Sequence, residues 1–302
     1  MQKNYRYITI FPNIFPLEPM NPRILESSVA GLLIVLLFVL YPQKTFAFHA
    51  EVSPKKISPG DAFLVKITGT SKEPSGTFAK KKLHFTDYDE GCFVAIGAVD
   101  LKTKPGVYTV RLKSGKKRKQ VTLRVKKTKF PKLELTLPED KVFLSPEDLA
   151  RVQNENEKLL NIFRSFSAMQ LQGPFIMPLD NEISGAFGTK RIMNKKRISV
   201  HKGIDIRGGE GEGIKASNSG TIVLAEELFF GGNTVIIDHG QGIYTIYMHL
   251  SAFKAQSGDT LEKGDIIGLV GSSGRSTGPH LHFGVKILNI NVNPVSLIQL
   301  EL

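Results

Sequence analysis

Two short patterns in the last third of the chain hold side chains that could do chemistry together: His201-Lys-Gly-Ile-Asp205 and His280-Leu-His282. In an extended strand, residues i and i+2 face the same side, so His280 and His282 project together while Leu281 points away. His201 and Asp205, four apart, share a face in a strand or a helix alike. Two imidazoles and a carboxylate make a donor set that suits zinc. Three protein ligands leave one position of a tetrahedral ion open, which is the arrangement of a catalytic site. Either pattern alone is weak, since strands carry pairs of histidines by chance. Together in one glycine-rich stretch, with His249 in Tyr247-Met-His249-Leu250 between them, they are a stronger signal: five of the seven histidines fall between His201 and His282.

The elements that must position these side chains are mainly β. From Gly173 to Leu302 the chain reads as an all-β domain of short apolar runs, TIVLA, TVIID, IYTIY, DIIGLV and LHFGV, broken by glycines. Residues 50–127 read as a separate β-sandwich-like domain. Phe63, Val65 and Ile67 alternate with other residues as in a half-buried strand. Tyr108, Val110 and Leu112 do so again, and Val121, Leu123 and Val125 answer them across the turn-like SGKK, which predicts a hairpin. Residues 128–172 read as a linker, irregular as far as Leu144 and then helical over about 145–169. Ser145 can cap that helix, Pro146 suits its first position, and Asp148 stands where a capping-box acid would. Leu149, Val152, Leu159, Leu160, Phe163 and Phe166 supply its apolar stripe, read as core packing.

Composition bounds the remaining possibilities. A chain of 302 residues has room for two domains, and its 41% apolar and 23% charged content is ordinary for a globular protein. Its one cysteine, Cys92, forms no internal disulfide and reads as a small buried apolar residue. The net charge of +12 is uneven. Glu51 to Lys127 holds 18 Lys/Arg against 7 Asp/Glu, net +11, whereas Gly173 to Leu302 holds 12 against 12. The basic excess thus belongs to the front half, where it favours anionic partners such as envelope polymers. With no zinc finger, RNA-binding aromatic signature or strongly basic helix, nucleic acid is not expected. Val29 to Leu40, VAGLLIVLLFVL, is too short for a membrane span and suits a signal-peptide core over residues 1–47, with Met20 a candidate true start. The protein is therefore expected in the periplasm or cell envelope, with an uncleaved inner-membrane anchor as the second reading.

SGAFGTKR (Ser184–Arg191), HKGIDI (His201–Ile206), VIIDHG (Val235–Gly240), YTIYMHLS (Tyr244–Ser251) and GRSTGPHLHFGV (Gly274–Val285) resemble, in order, the motifs of the lysostaphin-type zinc metallopeptidases. Those enzymes degrade bacterial peptidoglycan, and the likeness covers about residues 173–296. It implies one zinc ion held by His201, Asp205 and His282, with His249 and His280 as catalytic residues. Zinc activates water and polarises the scissile carbonyl. No His-Glu-x-x-His is present to supply a glutamate base, so the two histidines are the natural proton carriers. The resemblance implies an endopeptidase cutting cross-links or bridges, D-alanyl to diaminopimelate if the enzyme is periplasmic. A catalytically silent scaffold or amidase activator of the same fold is the competing reading. His239 is expected to be structural, and Tyr247 to pack in the core or line the cleft. With no tyrosine shortly before His201, Lys195 or Arg197 is expected to support the oxyanion.

Overall fold

A computed structural model describes residues 48–89, 91–136 and 144–302. The expected signal segment lies outside the described residues. Phe48 onward belongs to one compact unit, and its architecture is mainly β, with a single long helix among the described residues.

The front body is a sandwich of two sheets. One orders the strands His49–Ser53, Ala62–Thr68, Cys92–Ala98 and Thr86–Asp89. The other runs from Lys56–Ile57 through Lys117–Val125, Gly106–Ser114 and Ser75–Phe78 to Lys81–Leu83. The expected hairpin is present, with Tyr108 opposite Leu123 and Val110 opposite Val121. Phe63, Val65 and Ile67 join Phe78, Val110, Leu112 and Leu123 in the core between the sheets.

This body is not free of the one behind it. Ala62 and Leu64, on the opposite face of the same strand, pack with Val94, Ile96 and Ala98 against Phe175, Phe187 and Ile204 of the C-terminal body. The Ala62–Thr68 strand is therefore buried on both faces except at Lys66, which explains its nearly unbroken apolar sequence. Cys92 is half-buried against the same layer.

The C-terminal body is built on a ten-stranded sheet. Its main path runs Ile183–Gly185, Gly203–Arg207, His280–Ile287, Ile243–Phe253, Gly232–Asp238, Gly220–Leu228 and Thr260–Leu261. Beside it, the hairpin of Lys190–Met193 and Arg197–Val200 carries the chain to His201.

Two expectations for the connecting segment need correction. The linker is not irregular throughout, because Lys132–Leu135 pairs in parallel with Lys190–Met193. The helix spans Pro146–Ile162 and stops well short of residue 169. Its start is as expected, with Ser145 Oγ accepting from Asp148 N at 3.0 Å. Its end comes early because the next residues find partners off the helix. The Tyr244 hydroxyl donates to Ser165 O, Gln241 N donates to Ser167 O, and Gln170 N donates to His239 O. Val152, Leu159 and Phe163 of the stripe turn inward, while Leu149, Leu160 and Phe166 stay exposed. Glu155 accepts from Phe229 N, which ties the helix to the C-terminal body.

The shared layer makes the two bodies unfold together. Calorimetry should show one transition, and Leu64→Ala should lower stability by about 2–5 kcal/mol, the range for truncating a buried leucine. Two separable transitions, only one of them moved by Leu64→Ala, would contradict the shared core.

Candidate metal centre

The strand Gly203–Arg207 pairs antiparallel with His280–Ile287 in a register that sets Asp205 directly opposite His282. Directly opposed residues hold their Cβ atoms about 4.5–5.5 Å apart, so these side chains meet without distortion. His201 reaches the same point from just before the strand. Its backbone is fixed by His201 N donating to Thr189 O and Gly188 N donating to His201 O, both at 2.9 Å. Two glycines make the room. A Cβ on Gly203 would lie 2.4 Å from Phe283 O and 2.8 Å from His282 Nε2. One on Gly185 would lie within 3 Å of the Asp205 carboxylate.

The result is a tight triangle of donor atoms. His201 Nε2 stands 2.9 Å from Asp205 Oδ1 and 3.0 Å from His282 Nδ1, and His282 Nδ1 stands 2.8 Å from Asp205 Oδ1. The protonation of His201 decides what this means. Its Nδ1 lies 2.9 Å from the carbonyl oxygen of Ala186. A carbonyl can only accept, so Nδ1 is the donor in that contact and Nε2 is the nitrogen left to face the triangle. That nitrogen faces a carboxylate oxygen. Burial pushes the Asp205 carboxyl up, but its contacts with His201 and His282 outweigh this and hold it far below the usual carboxylate range. Arg191 Nη2, 2.7 Å from Asp205 Oδ2, adds a cation behind it. The triangle's edges are close to the roughly 3.3 Å expected between neighbouring ligands of a tetrahedral ion bound at about 2.0–2.1 Å. Both the donor chemistry and the spacing thus fit a metal ion, and His201, Asp205 and His282 are a group that could hold one.

Two more imidazoles stand beside the triangle. The His249 and His280 rings lie 4.9 Å apart, and His280 Nε2 is 3.9 Å from Asp205 Oδ1. Each is held like His201: His249 Nδ1 donates to Ser273 O at 2.8 Å, and His280 Nδ1 donates to Gly278 O at 2.9 Å. In each ring Nε2 is the nitrogen left outside that contact. Burial pushes the His249 imidazole down to about 4, with the Ser273 carbonyl opposing, so at neutral pH it is uncharged. His249 also has φ +70°, a conformation that L-residues adopt rarely and that recurs at functional sites.

That backbone turn explains why Tyr247 and His249 part company despite their spacing. Tyr247 is fully buried against Phe283, and its hydroxyl accepts from Ser217 N at 2.8 Å, so it belongs to the core and does not line the cleft. His239 is also fully buried, with its two nitrogens bonded to Ser219 O and Thr245 Oγ1, each at 2.7 Å. Lys195 sits in the hairpin turn, exposed. The arginine that touches the triangle is Arg191, to which sequence reasoning gave no role. It also missed Ser273, whose carbonyl orients His249 while its hydroxyl donates to Leu250 O and accepts from Asn233 N. Carbonyl partners leave no trace in residue type, which is why Ala186 and Gly278 were invisible as well.

A β body carrying a potential His/Asp/His metal centre agrees with what related proteins show. Residues 199–294 match peptidase family M23. Over that stretch the chain is similar to the lysostaphin-type M23 peptidases, a family of metallopeptidases. It is 41% identical over 131 residues to the DD-carboxypeptidase/endopeptidase Mpg of Neisseria meningitidis serogroup B, covering 43% of this chain and 30% of that protein. It is 35% identical over 119 residues to the peptidoglycan DD-endopeptidase ShyA of Vibrio cholerae, covering 38% and 28%. The chain thus spans under a third of the length of these curated relatives. A crystal structure described as a peptidase M23 from Pseudomonas aeruginosa superposes with a TM-score of 0.62 at 27% identity, covering 80% of this chain and 94% of that one.

His239 gives a test of the frame around the site. Burial holds its imidazole at about 4, against 6.5 for an exposed histidine. The unfolded chain therefore takes up the proton first as pH falls. Stability tied to His239 is intact above pH 6.5 and is lost between 6.5 and 4, by roughly 2–5 kcal/mol. His239→Gln should flatten this part of the stability profile. Equal slopes in both proteins from pH 7 to 4 would contradict the assignment.

Proposed function

We propose that the chain is an exported zinc endopeptidase that hydrolyses peptide cross-links in bacterial peptidoglycan. The observation that carries this reading is the convergence of His201 Nε2, the Asp205 carboxylate and His282 Nδ1, with His249 and His280 alongside. Relatives named as peptidoglycan DD-endopeptidases support the substrate. The apolar run Val29–Leu40 supports export, and in the periplasm the bond would join D-alanine to diaminopimelate. The net +11 of the front half would hold the enzyme near anionic envelope polymers.

His201, Asp205 and His282 would hold the ion, with Asp205 giving Oδ1 while Arg191 occupies Oδ2. When bound, zinc supplies Lewis acidity that polarises a carbonyl and makes water acidic enough to ionise near neutral pH. The chain's own task is to move protons. His249 and His280 each commit Nδ1–H to a backbone carbonyl, so the Nε2 of either can take the proton of the attacking water. Once protonated, that nitrogen can deliver the proton to the leaving amine. The other ring is close enough to hydrogen-bond the tetrahedral oxygen. A silent scaffold would have no use for five such side chains in one cleft, which disfavours that reading.

Digestion of intact sacculi, completed with a muramidase and resolved by mass, tests the bond. Cross-linked dimers should fall as monomers rise, and His249→Ala or His280→Ala should slow this about 10²–10⁴-fold without unfolding the protein. Dimers that persist while free stem peptides or new sugar ends appear would identify a different enzyme class.

A further inference from the structure

Beside the metal centre, a groove of about 260 Å³ opens between the connecting helix and the sheet. His282 lines it, together with Leu160, Ile246 and Met248, and so do two lysines, Lys202 and Lys286. Lys286 is half-buried, with Nζ 4.7 Å from the centre of the Phe163 ring and donating to Asn289 Oδ1 at 3.1 Å. Among the described residues no carboxylate pairs with either lysine. A third cation, Lys81 of the front body, donates to Leu288 O in the neighbouring turn. Burial, followed by the charges of Lys202 and Lys81, pushes the Lys286 ammonium down to about 8. The groove also has open space by design of sequence, because a side chain at Gly284 would meet nothing closer than 3.5 Å.

The positive lining continues into a second cavity that His201 also lines. This larger cavity, about 910 Å³, lies between the front body and the C-terminal body and shares Lys202 and Asn291 with the groove. Lys102, Lys127 and Lys190 line it, against one acid, Asp100. Yet Gly173 to Leu302 as a whole is neutral. Unpaired cations gathered in concave space next to the ligand set are therefore a local feature, and a peptide lying across His282 must pass them.

We propose that Lys202 and Lys286 form an anion subsite beside His282 that receives a free carboxylate of the substrate peptide, so that the site selects acidic stem peptides over amidated ones. The proposal rests on the endopeptidase reading for its substrate, but its geometry does not depend on turnover. Stem peptides carry free carboxylates unless these are amidated. A carboxylate in the groove would gain charge-assisted hydrogen bonds from two ammonium groups that otherwise repel one another.

The test is calorimetric binding of a stem tetrapeptide, L-Ala-γ-D-Glu-diaminopimelyl-D-Ala, and of its amidated form to the full-length protein. Neither peptide holds a cross-link, so binding is read apart from cleavage. The free acid should bind about tenfold tighter, the size of one such contact. Lys286→Met and Lys202→Met should each remove most of that preference, while Lys286→Arg should keep it. Lys202 neighbours a candidate metal ligand, so the metal content and melting temperature of both variants are measured alongside. Equal affinity for acid and amide, failure of both to bind, or a preference surviving in both methionine variants would overturn the subsite. Failure to cut sacculi while the acid preference holds would instead count against the endopeptidase reading.

Discussion

Everything at the centre of this molecule follows from one constraint: His201 Nε2 faces the Asp205 carboxylate at 2.9 Å, with His282 Nδ1 as close to both. Three donor atoms at that spacing form a group that could hold a metal ion. The fold commits itself to this before any ion arrives. Cross-strand register places Asp205 opposite His282, Gly203 allows the strands to approach, and the Ala186 carbonyl fixes the proton of His201 on the far side of its ring.

The same device, a backbone carbonyl holding one ring nitrogen, recurs at His249 and His280. Three imidazoles are therefore oriented by main chain that is itself held in a sheet or by tight loops. Main-chain partners do not rotate, and this keeps the reactive nitrogens aimed without side-chain intermediaries. Rigidity extends outward through the layer that Leu64 and Ile96 share with Ile204, the residue just before Asp205. In this way the front sandwich stiffens the strand that carries Asp205, while its lysines also contribute to the cavity that His201 lines.

Much of the site could be read from residue types alone. Histidine and aspartate at two-residue and four-residue spacings are rare enough that their co-occurrence pointed to metal chemistry, and strand periodicity put His280 and His282 on one side. Alternation failed at Tyr247 and His249 because a single positive φ re-aims the latter, and no residue-type signal marks that change. The helix ran short of its apolar pattern because Ser165 and Ser167 were claimed by Tyr244 and Gln241, partners some 75 residues away in sequence. The two β bodies read as separate because the shared layer uses the second face of a strand whose first face already explained its alternation. In each case a tertiary contact overrode a local pattern that was correct as far as it went.

The account stands or falls on the metal. Elemental analysis of the purified protein and its variants is the most direct measurement. One zinc per chain is expected in the unaltered protein and in His280→Ala, and little or none in His282→Ala. Equal zinc in the His280 and His282 variants, although the two side chains stand on one strand two residues apart, would contradict the assignment of the triangle.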